Sequence, residues 1–493
     1  MPIGSPARLK ERLSDSLIPL ALFSVYGFMH WALSSHPGTE IYFFMWQFLS
    51  PEHLLHDPIG SLIDLHSQPP LLNVLLWLTL YLDDRCAVPL DLSATAIMFA
   101  VALCCCVCWF AVARHYLKSR ALAAVLLAGL LLNPSFYLFT RLFFYPNMLM
   151  ALFGVFFWSL WKWAERPSMA RLIGLALIFT LIVYLRSLWH PLAALPLGAL
   201  IGAHLWLRNS DWKAGLKSGL IFCGIVAALA APWIVKNAVL FNSPSFSSWS
   251  AINLRLVTGD PFYDFIYQNG KYDSRQVNPF YSEWQLQRIA SHPALNETIK
   301  APYQTSRYVN LNHYAIPALN HEMMQKKREW LKRYPILYLD RCLQYQTLFA
   351  LPSYYRPYTL EDNQIDYQLL INTIYSRMHA DLYYGEIIRR GLCGLLGEWA
   401  SPINIFMLAF YISMLTGLIR GRRLGTQEGL LTAAMVFCCL WVWAMGTFID
   451  GTESQRMRWH MEPAVLCLFF GGIAWIIRKV KSGESDETQA HQV

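Results

Sequence analysis

The sequence is short of charge. Only 15% of its 493 residues are Asp, Glu, Lys or Arg, against about 25% in an average soluble protein. In their place stand 55% hydrophobic and 15% aromatic residues, with a mean hydropathy of +0.31. This composition excludes a single water-soluble globule and indicates an all-α polytopic membrane protein, with Trp and Tyr available for the headgroup belts. A disulfide framework is also missing. Of eleven cysteines, Cys104, Cys105, Cys106 and Cys108 fall in one apolar run, and Cys223, Cys438, Cys439 and Cys467 in others. Buried there, thiols behave as small hydrophobes. The first apolar run lacks a small-residue cleavage site and reads as a retained anchor. No internal repeat is visible, which weakens a transporter built from repeated halves. The net charge of +8 does not point to nucleic acid, because the cations sit in short clusters beside apolar runs.

One local absence stands out. Residues 34–70 contain no Lys or Arg, although Glu40, Glu52, Asp57, Asp64, His36, His53, His56 and His66 all lie there. Almost every other apolar end in the chain is flanked by cations.

A membrane helix needs roughly 20 mostly apolar residues. About ten runs qualify: 17–33, 92–113, 121–140, 146–163, 171–187, 191–207, 217–240, 402–419, 428–449 and 461–478. The run 71–82 is too short. The clusters Arg114/Lys118/Arg120, Lys162/Arg166/Arg171, Arg208/Lys213/Lys217, Arg420/Arg422/Arg423 and Arg478/Lys479/Lys481 share one side with the N-terminus only if 71–82 lies along the outer face. The positive-inside rule then places both termini in the cytoplasm. Residues 1–240 form a first membrane module with outer loop 34–91, and 241–400 a large, mainly helical outer segment. Residues 401–480 supply the last membrane helices, and 481–493 a polar cytoplasmic tail. Within the outer segment, 315–351 reads as an amphipathic helix at the membrane surface or packed on its own domain.

Ionisable side chains at a membrane boundary are costly unless they face water, a partner or a ligand. The outer face collects acids (Glu40, Asp57, Asp64, Asp450, Glu453) and cations (Arg141, Arg186, His190, Lys236, Arg255, Arg456, Arg458, His460). Such cations suit an anionic headgroup such as a phosphate. Plainer readings compete. Lys236 and Arg186 at span ends can snorkel, and Glu453 can pair with Arg456 one helical turn on. Arg141 has only Leu142, Phe143, Phe144 and Tyr145 beside it. In Gln68-Pro69-Pro70 two fixed φ angles stiffen the entry to 71–82, holding Asp64 and His66 in place.

Four stretches resemble the membrane-embedded glycosyltransferases of the GT-C superfamily, in the branch holding protein mannosyltransferases and lipid A aminoarabinose transferases. They are Thr39-Glu40-Ile41-Tyr42, His66-Ser67-Gln68-Pro69-Pro70-Leu71, Pro232-Trp233-Ile234-Val235-Lys236-Asn237, and Glu453-Ser454-Gln455-Arg456 with Arg458 and Glu462-Pro463. The likeness covers roughly 1–260 and 440–465. It implies a GT-C-like fold, a polyprenyl- or dolichyl-phosphate sugar donor, and inverting transfer to a glycan, lipid or protein hydroxyl on the outer face of a bacterial inner membrane. By position, Glu40 would be the general base, with Asp64 or Asp57 sharing the work. His66 would line the catalytic site. Arg141, Lys236, Arg456 and Arg458 would bind the donor phosphate, with Tyr42, Gln68, Tyr145, Arg186, His190 and Glu453 around them. The family usually has Asp where this chain has Glu40, and Ser67-Gln68 separates His66 from the prolines. No cofactor is implied, and only some members of the superfamily use a divalent metal. A flippase of polyprenyl-linked sugars and a non-catalytic assembly subunit are the competing readings.

Overall fold

A computed structural model describes residues 6–32, 39, 41, 47–254, 278–296, 312–350, 402–449 and 454–490. Among them there is no strand, and each of the ten expected spans is helical. The helices are α1 (Pro6–Ala32), α2 (Pro51–His56), α3 (Pro58–Asp64), α4 (Leu71–Cys86), α5 (Leu90–Leu117), α6 (Arg120–Leu131), α7 (Pro134–Arg141), α8 (Tyr145–Glu165), α9 (Met169–Leu185), α10 (Ala194–Asn209) and α11 (Trp212–Phe241). The described part of 241–400 contributes α12 (Ser250–Asn253), α13 (Glu283–Ala290), α14 (Pro293–Asn296), α15 (Ala315–Arg333) and α16 (Pro335–Ala350). Three long helices close the chain: α17 (Pro402–Gly421), α18 (Gln427–Phe448) and α20 (Glu462–Ala490), with the short α19 (Ser454–Trp459) before the last.

Local chemistry sets the boundaries. Ser119, Asn133, Ser168, Asp211 and Thr426 each cap the following helix by accepting a backbone N–H, the role short polar side chains fill best. Ala87, Lys118, Ser210 and Asn242 end their helices in the left-handed region, a common way to satisfy the last carbonyls.

Among the described residues four helices are long and apolar enough to cross a membrane: α5, α10 with its 3-10 entry from Pro191, α11 and α18. The run read as one span at 121–140 is instead two helices, α6 and α7, bent by 59°. Pro134 is the reason, since it has no N–H to continue the ladder, while Asn133 caps the new start at Ser135 N, 2.9 Å away. Likewise the stretch 315–351 breaks at Tyr334-Pro335 into α15 and α16. Helix α4 has 16 residues, about 24 Å at 1.5 Å each, short of the roughly 30 Å hydrocarbon core.

The basic clusters gather at one end of the bundle. Arg114 and Arg120 meet Asp15, and Lys118 and Arg420 share Glu428 at 3.1 and 2.8 Å. Arg171 donates to the Lys162 carbonyl, Arg208 to that of Ala164, and His204 to that of Leu424. Between the two ends lies one apolar core built around Trp109, Trp163, Trp189, Trp459 and the phenylalanines of α7 and α8. A smaller cluster of Phe241, Tyr281, Ile289, Leu295, Ala315 and Ala318 joins the end of α11 to α13, α14 and α15. Helices α10 and α11 approach through glycines. A Cβ on Gly202 would meet the Gly215 carbonyl oxygen at 2.9 Å, and one on Gly219 would meet that of Gly198 at 2.6 Å.

Candidate functional site

The opposite end holds the first loop. Asp57, Asp64 and His66 are engaged in holding it down. Asp57 caps α3 by accepting from Gly60 N at 2.8 Å. Asp64, at the end of α3, is buried, ion-paired with Arg288 of α13, and accepts from His292 Nδ1 at 2.9 Å. Burial and then the Arg288 charge lower the His292 pKa.

His66 is fully buried. Its Nε2 lies 3.1 Å from the Asn312 carbonyl, which can only accept, so Nε2 carries the proton. Nδ1 then accepts from the Ser248 hydroxyl at 2.8 Å. Burial, with the nearby Lys236 charge, lowers its pKa to about 3. Both ring nitrogens are thus occupied by protein partners. Asn312 completes the tether: its Oδ1 accepts from His66 N at 2.8 Å and its Nδ2 donates to the Asp64 carbonyl at 3.1 Å. Lys236 donates to the Leu65 carbonyl and lies 3.6 Å from the Trp233 ring centroid. Gln68 accepts from the Ser187 hydroxyl at 3.0 Å, which ties the loop to the turn after α9.

Next to this platform three connections converge. Arg141 ends α7, Tyr145 opens α8, Arg186 follows α9 in extended backbone, and Arg456 sits in α19. All four are buried. The Arg186 guanidinium carbon stands 4.4 Å from the Tyr145 ring centroid, and that of Arg456 stands 5.5 Å from the same ring and 5.2 Å from Phe144. Two guanidinium groups on one ring concentrate rigid N–H donors in a confined place, the arrangement that suits phosphate. Thr39 brings the first loop to this cluster. Its hydroxyl donates to the Thr140 carbonyl at 3.1 Å, and its N–H to the Thr95 hydroxyl at 2.7 Å.

Asn147 knits the cluster together although it sits in an apolar helix. It donates to the Phe136 carbonyl and the Thr140 hydroxyl, both at 3.1 Å, and accepts from Trp459 Nε1 at 2.9 Å. Trp189 Nε1 donates to His460 Nε2 at 3.0 Å. Two buried groups of this cluster, the Tyr145 hydroxyl and His460 Nδ1, have no hydrogen-bond partner among the described residues. Leaving such a group unpaired costs about 1–3 kcal/mol.

Other expected residues are placed elsewhere. Arg458 pairs with Glu462 at 2.9 Å and donates to the Phe349 carbonyl, so its charge braces α16 against α20. His190 accepts from Leu192 N at 3.2 Å and caps the entry to α10. Glu40, Tyr42, Glu453, Asp450 and Arg255 lie outside the described residues. No group of three or more His, Cys, Asp or Glu among the described residues is placed to hold a metal. The Asp64–His292 pair does not fit one, since Arg288 occupies the same carboxylate. Sequence reasoning missed Asn147, Trp189, Trp459, Ser248 and Asn312. Only Asn147 left a signal, an amide inside an apolar run.

No protein-family model matches the chain, and no curated protein is similar to it. Among solved structures it is similar to ArnT from Cupriavidus metallidurans bound to undecaprenyl phosphate. Identity is 14%, covering 93% of this chain and 77% of that one, with a TM-score of 0.34.

Proposed function

We propose that the protein is a membrane glycosyltransferase that moves a sugar from a polyprenyl-phosphate carrier to an acceptor hydroxyl at the loop end of the bundle. The observation that carries this reading is the convergence of Arg186 and Arg456 on Tyr145, beside the Thr39–Thr140 contact. Arg141 follows Thr140 directly, and Glu40 follows Thr39. A carboxylate can therefore start one residue from the same hydrogen bond that positions an arginine.

Transfer to a hydroxyl needs a base to take the acceptor proton and cations to stabilise the phosphate as it leaves. Glu40 fills the first role. Arg141, Arg186 and Arg456 fill the second, with Lys236 behind the loop. Asp64, His66 and Arg458 hold the frame, because their polar atoms already have protein partners.

The test is Glu40→Gln in a deletion strain, read by mass spectrometry of envelope glycolipids and glycoproteins. Removing a placed base slows transfer by about 10²- to 10⁴-fold, so the glycan restored by the wild-type gene should be absent. Full restoration at normal protein level would sink Glu40 as base. A deletion strain with unaltered glycans would sink the transferase itself.

A further inference from the structure

Helices α15 and α16 meet at Tyr334-Pro335 and do different things. Helix α15 packs on the protein: Asn320, Met323 and Lys327 are buried. Asn320 accepts from Ala251 N at 2.7 Å, and Lys327 donates to the Ala251 carbonyl. Its last turns leave that contact. Arg328, Lys332 and Arg333 are exposed there, and Glu329 is the one acid between 328 and 339. Trp330 and Tyr334 lie together, 5.6 Å between ring centroids, and the Arg333 guanidinium carbon stands 5.5 Å from the Tyr334 ring.

Helix α16 has two unlike faces. Tyr338, Cys342 and Phe349, at spacings of four and seven, turn to the bundle. The Tyr338 hydroxyl donates to the Phe448 carbonyl, Phe349 meets Phe410 of α17 at 5.3 Å, and Arg458 donates to the Phe349 carbonyl. Helix α18 starts beside the basic clusters that share Glu428, so Phe448 marks its loop end. Helix α16 therefore rests where two of the expected spans reach the loop side. On its other face Ile336, Leu339 and Leu343 recur three and four residues apart, the spacing of one helical stripe. They are 81%, 50% and 63% exposed, with Leu337 and Asp340 beside them. Single apolar residues on a surface are ordinary, whereas a continuous stripe marks a contact.

Either protein or lipid can cover such a stripe, and the charges decide between them. A second copy using the same face would bring two sets of Arg328, Lys332 and Arg333 to one contact, and like charges oppose it. A bilayer with negative headgroups suits both the stripe and the cations. We propose that α16 and the last turns of α15 form a seat on an anionic lipid surface at the loop end. Ile336, Leu339 and Leu343 enter the acyl boundary, Trp330 and Tyr334 stay at headgroup level, and the three cations meet headgroup phosphates. A seat of this kind does not depend on the sugar chemistry proposed above. It does reach the helix that carries Arg456, because Arg458 ties α19 to Phe349.

The test uses full-length protein in nanodiscs of phosphatidylcholine, with or without phosphatidylglycerol, and reads hydrogen–deuterium exchange over 328–343. Exchange there should be slower in the anionic discs, with 283–290 as the internal control. Each cation at such a surface shifts the seated population about 5-fold. Replacing both Lys332→Ser and Arg333→Ser should therefore bring exchange in anionic discs most of the way to its rate in neutral ones. Leu339→Glu changes an exposed position, leaves the packed face untouched, and should speed exchange over 328–343 in both bilayers.

Wild-type exchange that is equal in anionic and neutral discs overturns the proposal with no variant needed. Leu339→Glu exchange equal to that of the wild type also overturns it, since water would then already cover the stripe. A wild-type mass of two chains by native mass spectrometry, falling to one chain in Leu339→Glu, would assign the stripe to a second copy and overturn the lipid seat as well.

Discussion

At the scale of single residues, the loop end depends on imidazoles kept neutral. Burial lowers the pKa of His66 and His460 to about 3 and of His313 to about 4. Above pH 6.5 the folded and unfolded chains hold these rings alike. Below it the unfolded chain takes up protons that the folded chain refuses, so stability falls as pH drops from about 6.5 toward 4. Each histidine contributes up to about 1.4 kcal/mol per pH unit. The apparent melting temperature in detergent should therefore be lower at pH 5 than at pH 7.5, and His313→Asn should flatten the slope. A flat profile in the wild type would show that these rings are not held neutral. Arg141, Arg186 and Arg456 were legible in the sequence because cations there break the charge pattern around apolar runs. The duties of Asp64 and His66 were not. Their partners Arg288, Ser248 and Asn312 lie about 180 to 250 positions away, and no local pattern announces a contact that distant.

At the scale of elements, apolar length revealed the helices but not where they bend. The break at Asn133-Pro134 was readable from Pro chemistry. It matters because it turns α7 so that Arg141 ends beside the loop contact. The α10–α11 pair makes a sharper forecast. Gly219→Ala puts a methyl group onto the Gly198 carbonyl, while Gly224 on the same helix has nothing within 4 Å of its Cβ position. Gly224→Ala should leave the melting temperature unchanged or raise it slightly, by the roughly 1 kcal/mol helix preference of Ala. Gly219→Ala should lower it, since two backbones that touch cannot absorb a methyl group without separating. Equal effects at the two sites would mean that the helices are not packed this closely.

At the scale of the whole molecule, the chain divides into an end that gathers basic clusters and an end that gathers loops, joined by one aromatic core. The segment 278–296 is moored to the first loop through Asp64, whose carboxylate receives Arg288 and His292. Asp64→Asn leaves Arg288 without its ion pair and should expose 278–296 to limited proteolysis, with the membrane helices still intact. Unchanged cleavage would place the mooring elsewhere. The bond from Thr39 to the Thr140 carbonyl acts over the same distance in a different sense. It pins the chain one residue before position 40 to α7, so that a change of side-chain length at that position is read from a fixed start. On the proposed base role, Glu40→Asp removes one methylene of reach and should lose most of the transfer in the same glycan assay, whereas full transfer would show that reach at this position does not matter.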